Sequence, residues 1–439
     1  MAYSINAYFG EIQIGELKQD PHTGLLNFQY STQWQKAGFN LSPALQINQP
    51  CKPTSVYNYI DNQLPEGEAR KLLALDLGVS EKQLFAQVKA IGRDLAGAIT
   101  FATQNHIFDT PIFRPISEQE MVERLNNKEQ FGLLYWDEKP RLSVAGVQDK
   151  LNVFVNSEGE IGLADGRLCS THILKFERKN TPNLVLNEYI CMKLSKAIGL
   201  PTAEVRFLKF ANHPALLVTR FDRKYDAKQQ RVYRRHIIDG CQALDLPRDN
   251  KYERNLGDGR DVKHIRDGAS LEKLFNLCRN SNQPIKNMHW LINWQLFNLI
   301  INNYDSHGKN VSFYYGKNEF EFTPSYDLVN VAMFDEFKHV LAMGMGEEFE
   351  PSCINAYQLA DFAEVCQIDK KLITRLLKKQ LKAVKQALTD RAFISDIFDA
   401  QSTLFTGTDG VYAGELINQL IQNIEHFSEQ AELITSIEV

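Results

Sequence analysis

The chain has 439 residues, a 44% hydrophobic content and a formal net charge of −5, which is the profile of a globular protein with two or three domains and a substantial core. That acidic balance argues against an unaided nucleic-acid binder, although local basic patches stay open. No apolar run reaches the roughly eighteen residues of a membrane span, and residues 1–20 alternate rather than reading as a basic-then-apolar leader, so secretion and membrane partners are disfavoured. The seven cysteines (Cys51, Cys169, Cys191, Cys241, Cys278, Cys353, Cys366) show no CxxC or Cys/His ligand spacing. They read as reduced core thiols of a cytoplasmic protein without zinc.

Residues 4–17 alternate around Gly10 and Gly15 and predict a β-hairpin, with 25–30 as a third strand. Residues 55–77 turn helical, and Ser80 starts another helix holding 81–90. A glycine-punctuated turn then leads into an apolar strand within 91–101, and the polar, proline-containing stretch 102–116 marks a boundary. Strands at 142–144 and 151–155 flank the loop Ala145, Gly146, Val147, Gln148, Asp149, Lys150, and strands at 172–176 and 215–219 follow. Between the last two, 186–198 is helical, stopped by Gly199 and Pro201. After Asp222 the chain turns irregular, and 249–270 reads as a long loop rich in Gly, Asp and Arg. Beyond Leu271 helices dominate, through 356–365, 370–388 and 413–434. The class is α+β, with a mixed N-terminal half and a helical C-terminal half.

The chemistry concentrates after the dense apolar helix 290–301. A polar loop follows with Asp305, Ser306, His307, Gly308, Lys309 and Asn310, then strands at 311–315 and 320–322, then Ser325, Tyr326 and Asp327. Transfer of a γ-phosphoryl group needs a carboxylate to receive the hydroxyl proton and hard oxygen ligands for Mg²⁺. Asp305 suits the first role; Asn310 and Asp327 suit the second. The Asp-to-Asn spacing alone arises about once in a chain of this length. A buried helix delivering one carboxylate loop and a hairpin delivering another is a rigid way to converge oxygens on a metal. His307 inside this loop suits a structural hydrogen bond better than proton transfer.

Four further features bear on phosphoryl chemistry. Lys175 lies in a half-buried strand and needs an anionic partner, either a nucleotide phosphate with Glu188 or, if it snorkels to the surface, water. Glu188 by itself reads as a solvated helix residue. The 143–150 loop would cradle phosphates with backbone N–H groups while Lys150 neutralises them, or it is an ordinary β-turn; it lacks the Gly-Lys-Ser/Thr ending of a Walker A loop. Thr219, Arg220 and Phe221 end a strand where their backbone would read adenine, or they are a plain strand end. The helix 370–388 carries Lys370, Lys371, Arg375, Lys378, Lys379, Lys382 and Lys385 opposite its apolar stripe: a solvated face, or a contact for DNA phosphates.

Together, the segments YIDNQLPEG (59–67), IGRDLAGAITF (91–101), SVAGVQDK (143–150), THILKF (171–176), Asn187 to Tyr189, VTRFDR (218–223), Cys241 with Gln242, DSHGKN (305–310) and TPSYDL (323–328) resemble the HipA family, the serine/threonine-kinase toxins of bacterial type II toxin–antitoxin modules. The resemblance implies a protein-kinase-like two-lobed fold. Its parts are a β-rich N-terminal subdomain over 1–102, a kinase-like ATP-binding β lobe over 117–225, and an all-helical C-terminal domain over 226–439 carrying the catalytic loop and metal hairpin. It implies Asp305 as catalytic aspartate and Asn310 and Asp327 as magnesium ligands. ATP-contacting positions would be Ala145, Gly146, Val147, Gln148, Asp149, Lys150, Lys175, Thr219, Arg220, Phe221, His307, Gly308, Lys309, Asn310, Tyr326 and Asp327. Ser143 matches the serine that family members phosphorylate on themselves, ejecting the loop and shutting the kinase off. A dianion there would repel nucleotide phosphates.

The family further implies ATP and Mg²⁺ as cofactors, a dimeric helix-turn-helix antitoxin of the HipB kind, and operator DNA bound mainly through that antitoxin. It implies a translation component as protein substrate, glutamyl-tRNA synthetase being the family's example, and a cytoplasmic location that becomes nucleoid-associated in the DNA complex. Ser306 and Gly308 depart from the common Asp-Gly-His-Ala-Lys-Asn loop, and Ile238 to Gly240 depart from an acidic-aromatic pattern. A non-catalytic corepressor and a small-molecule or lipid kinase on the same scaffold are the competing readings; the second lacks a basic-aromatic membrane surface.

Overall fold

The structure, a computed structural model, describes residues 3–103, 110–127, 133, 135–137, 139–141, 149–178, 180–398, 405 and 407–439. The chain forms two compact units: Met1–Phe176 with Lys209–Arg248 and Ser312–Phe320, and Glu177–Leu208 with Asp249–Val311 and Glu321–Val439.

The first unit opens with an antiparallel sheet in the order Leu26–Tyr30, Ile12–Gln19, Ser4–Phe9, Ile99–Ala102. Its first hairpin turns at Gly10, whose φ of +58° lies in the left-handed region that glycine enters without strain. The helical stretch expected over 55–77 is two helices, Pro53–Gln63 and Gly67–Asp76. Pro65 between them has no N–H to donate and its ring clashes with a continuing turn. The second sheet runs antiparallel through His213–Thr219, His172–Phe176, Lys150–Val155, Ile161–Gly166 and Pro111–Pro115.

The irregular stretch expected after Asp222 is in fact a hairpin, Arg223–Asp226 with Arg231–Arg234. Two apolar residues in a polar sequence are enough to dock it: Val232 joins the buried cluster of Phe154, Leu168 and Cys169, and the Tyr225 ring meets Phe154 edge-on at 4.8 Å. The strand expected at 142–144 lies outside the described residues.

A buried charge network ties the 91–101 motif to the 218–223 motif. Asp222 Oδ2 accepts from Arg220 Nη2 at 2.9 Å, from Arg223 Nη1 at 2.5 Å and from the Gly97 N–H at 2.8 Å. Arg223 also donates to the Gly97 and Leu95 carbonyls, and Arg220 to Ser170 Oγ. Burial alone would raise the Asp222 carboxyl; Arg220 and Arg223 hold it well below the usual carboxylate range.

The second unit is largely helical: Leu184–Ala197, Leu271–Arg279, Pro284–Ile300, Ala356–Val365, Lys370–Thr389, Arg391–Phe398 and Gly407–Leu433. Pro284–Ile300 buries Leu291, Ile292, Trp294, Leu296, Phe297, Leu299 and Ile300 among Leu271–Arg279, Lys370–Thr389 and Gly407–Leu433. Glu188 is 1% exposed, not a solvated helix residue. Cys353 is exposed, unlike the core thiol expected of it. Sheets with a few helices in the first unit and helices dominating the second make the α+β class. Among the described residues no helix is long and apolar enough to cross a membrane.

Candidate active site

In the second unit the C-terminal end of the helix Pro284–Ile300 is capped by a distant side chain. Asn423 Nδ2 donates to the Leu299 and Ile300 carbonyls, both at 2.8 Å, and to Asn302 Oδ1 at 2.9 Å. Asn302 then takes a left-handed backbone, φ +55°, which asparagine tolerates, and the chain leaves the helix axis. Asn303 Nδ2 donates to Asn298 Oδ1 at 2.8 Å and to the Asp327 carbonyl at 3.2 Å, tying the loop to the helix and to the second aspartate.

Asp305 follows, exposed, with its Oδ1 accepting from the Tyr252 hydroxyl at 2.8 Å. His307 Nδ1 accepts from the Lys309 N–H at 3.3 Å and so caps the single turn Gly308–Asn310. The Gly308 N–H donates to the Lys251 carbonyl at 2.9 Å, and the Tyr326 hydroxyl to the Lys309 carbonyl at 2.7 Å. Ser325 is pinned to the Pro201 carbonyl through its N–H at 2.9 Å and its hydroxyl at 2.7 Å. Asp327 comes next with φ +54°. Asn310 Nδ2 donates to Asp327 Oδ2 at 3.4 Å. The structure thus brings together Asp305, His307, Gly308, Lys309, Asn310, Tyr326 and Asp327 in one unit.

The donor set fits a hard cation. Asn310 is buried and its Oδ1 has no hydrogen-bond partner among the described residues, an arrangement native structures avoid unless something else satisfies the oxygen. Beside it stands the Asp327 carboxylate. One amide oxygen and one carboxylate are ligands of the kind Mg²⁺ takes from protein, with phosphates and water completing its shell.

In the first unit, Lys150 and Lys175 are direct partners on neighbouring antiparallel strands, so both project from the same face of the sheet. Each is 6% exposed, which removes the snorkelling alternative for Lys175. Two ammonium groups in register favour an anion there. Asp149 precedes the pair and its carbonyl accepts from the Phe176 N–H at 2.8 Å. Thr219 closes the next strand opposite His172. The Arg220 N–H is already donated to the Thr171 carbonyl at 2.9 Å, and the Phe221 carbonyl accepts from the Tyr314 hydroxyl at 3.3 Å. The Arg220 amide is therefore committed inside the sheet, and its side chain to the Asp222 network. Ser143, Ala145, Gly146, Val147 and Gln148 lie outside the described residues.

Residues 5–102 match the HipA N-terminal domain and residues 142–388 the HipA-like C-terminal domain. The chain belongs to the HipA family. A serine/threonine-protein kinase toxin HipA of Shewanella oneidensis is 41% identical over 387 residues, 88% of this chain and 89% of that protein. A relative from Sinorhizobium fredii is 30% identical over 88% of this chain and 92% of its own. Among solved structures, the Shewanella oneidensis HipA in its complex with HipB and operator DNA superposes with a TM-score of 0.89 at 37% identity, covering 99% of this chain and 100% of that one. This HipA-family chain is a serine/threonine-protein kinase with the kinase-like fold of its family.

Sequence reading missed three residues of this site. Tyr252 sits in a stretch whose composition says only loop. Asn423 caps a helix from more than a hundred positions away, as its bonds to 299 and 300 show. Asn303 lies two residues before Asp305, but nothing in the sequence signals that it reaches Asp327.

Proposed function

We propose that this kinase is ATP- and Mg²⁺-dependent and acts as the toxin of a type II toxin–antitoxin module. The observation that carries the reading is the contact of Asn310 with Asp327 beside the exposed carboxylate of Asp305, with the Asn310 Oδ1 left for a cation.

Asp305 accepts the proton of the substrate hydroxyl as that oxygen bonds to the γ-phosphorus and the bond to the ADP oxygen breaks. Asn310 and Asp327 would hold Mg²⁺, which supplies neutralisation of phosphate charge when bound. Lys150 and Lys175, with the loop from Ala145, stabilise the phosphate groups, and the backbone of Thr219, Arg220 and Phe221 borders the base. His307, Gly308, Lys309 and Tyr326 keep the Asp305 and Asn310 side chains in register. Phosphate on Ser143 switches the enzyme off by repelling ATP.

Similarity to a HipA solved with HipB and operator DNA supports a dimeric helix-turn-helix antitoxin and operator DNA as partners. The exposed basic face of Lys370–Thr389 supports an additional contact to DNA phosphates. The substrate is a translation component, with glutamyl-tRNA synthetase the first to test.

Purified protein with γ-labelled ATP should become labelled at Ser143, and Asp305→Gln should abolish that labelling. If neither the chain nor any substrate protein takes up label while ATP still binds, the reading fails. If Asp305→Gln leaves growth arrest unchanged, the non-catalytic corepressor replaces it. Phosphoproteomics after brief expression of the active and Asp305→Gln forms identifies the substrate.

A further inference from the structure

The segment 249–270, polar and without regular secondary structure over most of its length, is anchored from beneath. Glu253 is 2% exposed; its Oε1 accepts from Arg266 Nε at 2.7 Å and its Oε2 from the Gly344 N–H at 2.8 Å. Burial pushes the Glu253 carboxyl above its usual range, and Arg266 opposes that rise. The Glu253 N–H donates to the Ala342 carbonyl at 2.9 Å, and Gly268 and Ala269 fold back onto the Glu253 and Asn250 carbonyls. A Cβ at Gly268 would stand 1.7 Å from the Tyr252 carbonyl oxygen, so the two strands of this loop meet where only glycine fits.

The residues just before this anchor grip the catalytic loop at three points. The Lys251 carbonyl accepts from the Gly308 N–H, the Tyr252 ring meets His307 edge-on at 5.2 Å, and the Tyr252 hydroxyl donates to Asp305 Oδ1 at 2.8 Å. Asp305 is exposed on an irregular loop, where a short carboxylate samples several rotamers. A hydrogen bond to an ionised oxygen from a fixed donor selects one of them.

We propose that Tyr252 is a positioning residue for phosphoryl transfer: by occupying Asp305 Oδ1 it holds the carboxylate in one rotamer and leaves Oδ2 for the substrate hydroxyl. This rests on the role of Asp305 proposed above. The rest of the 249–270 loop serves to hold Tyr252 still.

Tyr252→Phe removes the hydroxyl and keeps the ring against His307. The readout is transfer from γ-labelled ATP into the chain itself and into casein as a generic serine/threonine acceptor. The expected result is a kcat loss of roughly tenfold or more, since a misplacement of about 1 Å can cost on the order of 100-fold. The KM for ATP and the melting midpoint stay unchanged, a split that a merely structural role would not produce. Tyr252→Leu, which also loses the ring, falls at least as far. A wild-type kcat in Tyr252→Phe, or a loss confined to KM or to melting, overturns the proposal. Asp305→Asn run in parallel separates the two claims. If it stays active, the role of Asp305 fails and this one with it; if it is inactive while Tyr252→Phe is fully active, only the positioning role fails.

Discussion

Asp222→Asn should destabilise the protein strongly. The Asp222 carboxylate accepts four hydrogen bonds, from Arg220 Nε and Nη2, Arg223 Nη1 and the Gly97 N–H. The side chains of Arg220 and Arg223 are 3% and 0% exposed. Without the carboxylate their remaining ionic partner among the described residues is Asp94, at 3.7 and 3.5 Å and itself 29% exposed. Removing one partner of a buried ion pair destabilises by about 3–5 kcal/mol. For a unit of this size each kcal/mol lowers the midpoint by about 2–4 °C, so the melting temperature should fall by roughly 10 °C. Urea and thermal unfolding of the two proteins at neutral pH measure it. Wild type should also lose this contribution in acid: the folded carboxyl titrates below the 3.8 of a free aspartate, so the stability is present above that value and drains away as pH falls beneath it. A destabilisation under about 1 kcal/mol, within the range of a surface pair, would refute the reasoning.

Other outcomes follow from the same geometry. His236 is buried, donates through Nε2 to the Leu41 carbonyl at 2.9 Å, and burial lowers its pKa from 6.5 to about 4. Between those values the unfolded chain binds the proton and the folded one does not. Stability is therefore full above about pH 6.5 and declines by roughly 3 kcal/mol toward pH 4, a decline that His236→Gln should remove from the urea midpoint. Chelating divalent cations should stop phosphoryl transfer, and Asp327→Asn should lower it on the order of 100-fold with a raised Mg²⁺ requirement; unchanged Mg²⁺ titrations would count against the metal role of Asp327. Asn423→Ala leaves the Ile300 carbonyl without its donor, while the Leu299 carbonyl keeps the Asn302 N–H at 3.2 Å, and should cost about 1–3 kcal/mol in unfolding experiments.

What the sequence made legible was whatever is local. The first hairpin, the helix entering the catalytic loop and the strands around Lys175 follow from short-range periodicity, and Asp305, Asn310 and Asp327 follow from residue type and order. What stayed hidden depends on distant contacts. The Arg220 side chain is bound to Ser170 Oγ and paired with the Asp222 carboxylate, partnerships that no local pattern reveals. Arg223–Asp226 and Arg231–Arg234 looked irregular because one buried Val232 and one half-buried Tyr225 supply most of their apolar anchorage. Tyr252 is invisible for the same reason: a tyrosine in a polar loop gains meaning only when Glu253 and Gly268 fix its backbone.

The most direct measurement is single-turnover transfer of label from γ-labelled ATP by Asp305→Asn, with nucleotide affinity measured on the same sample. The account predicts wild-type ATP affinity and a transfer rate lower by on the order of 100- to 10,000-fold, the range that loss of a general base produces. Transfer at close to the wild-type rate with ATP bound would contradict it.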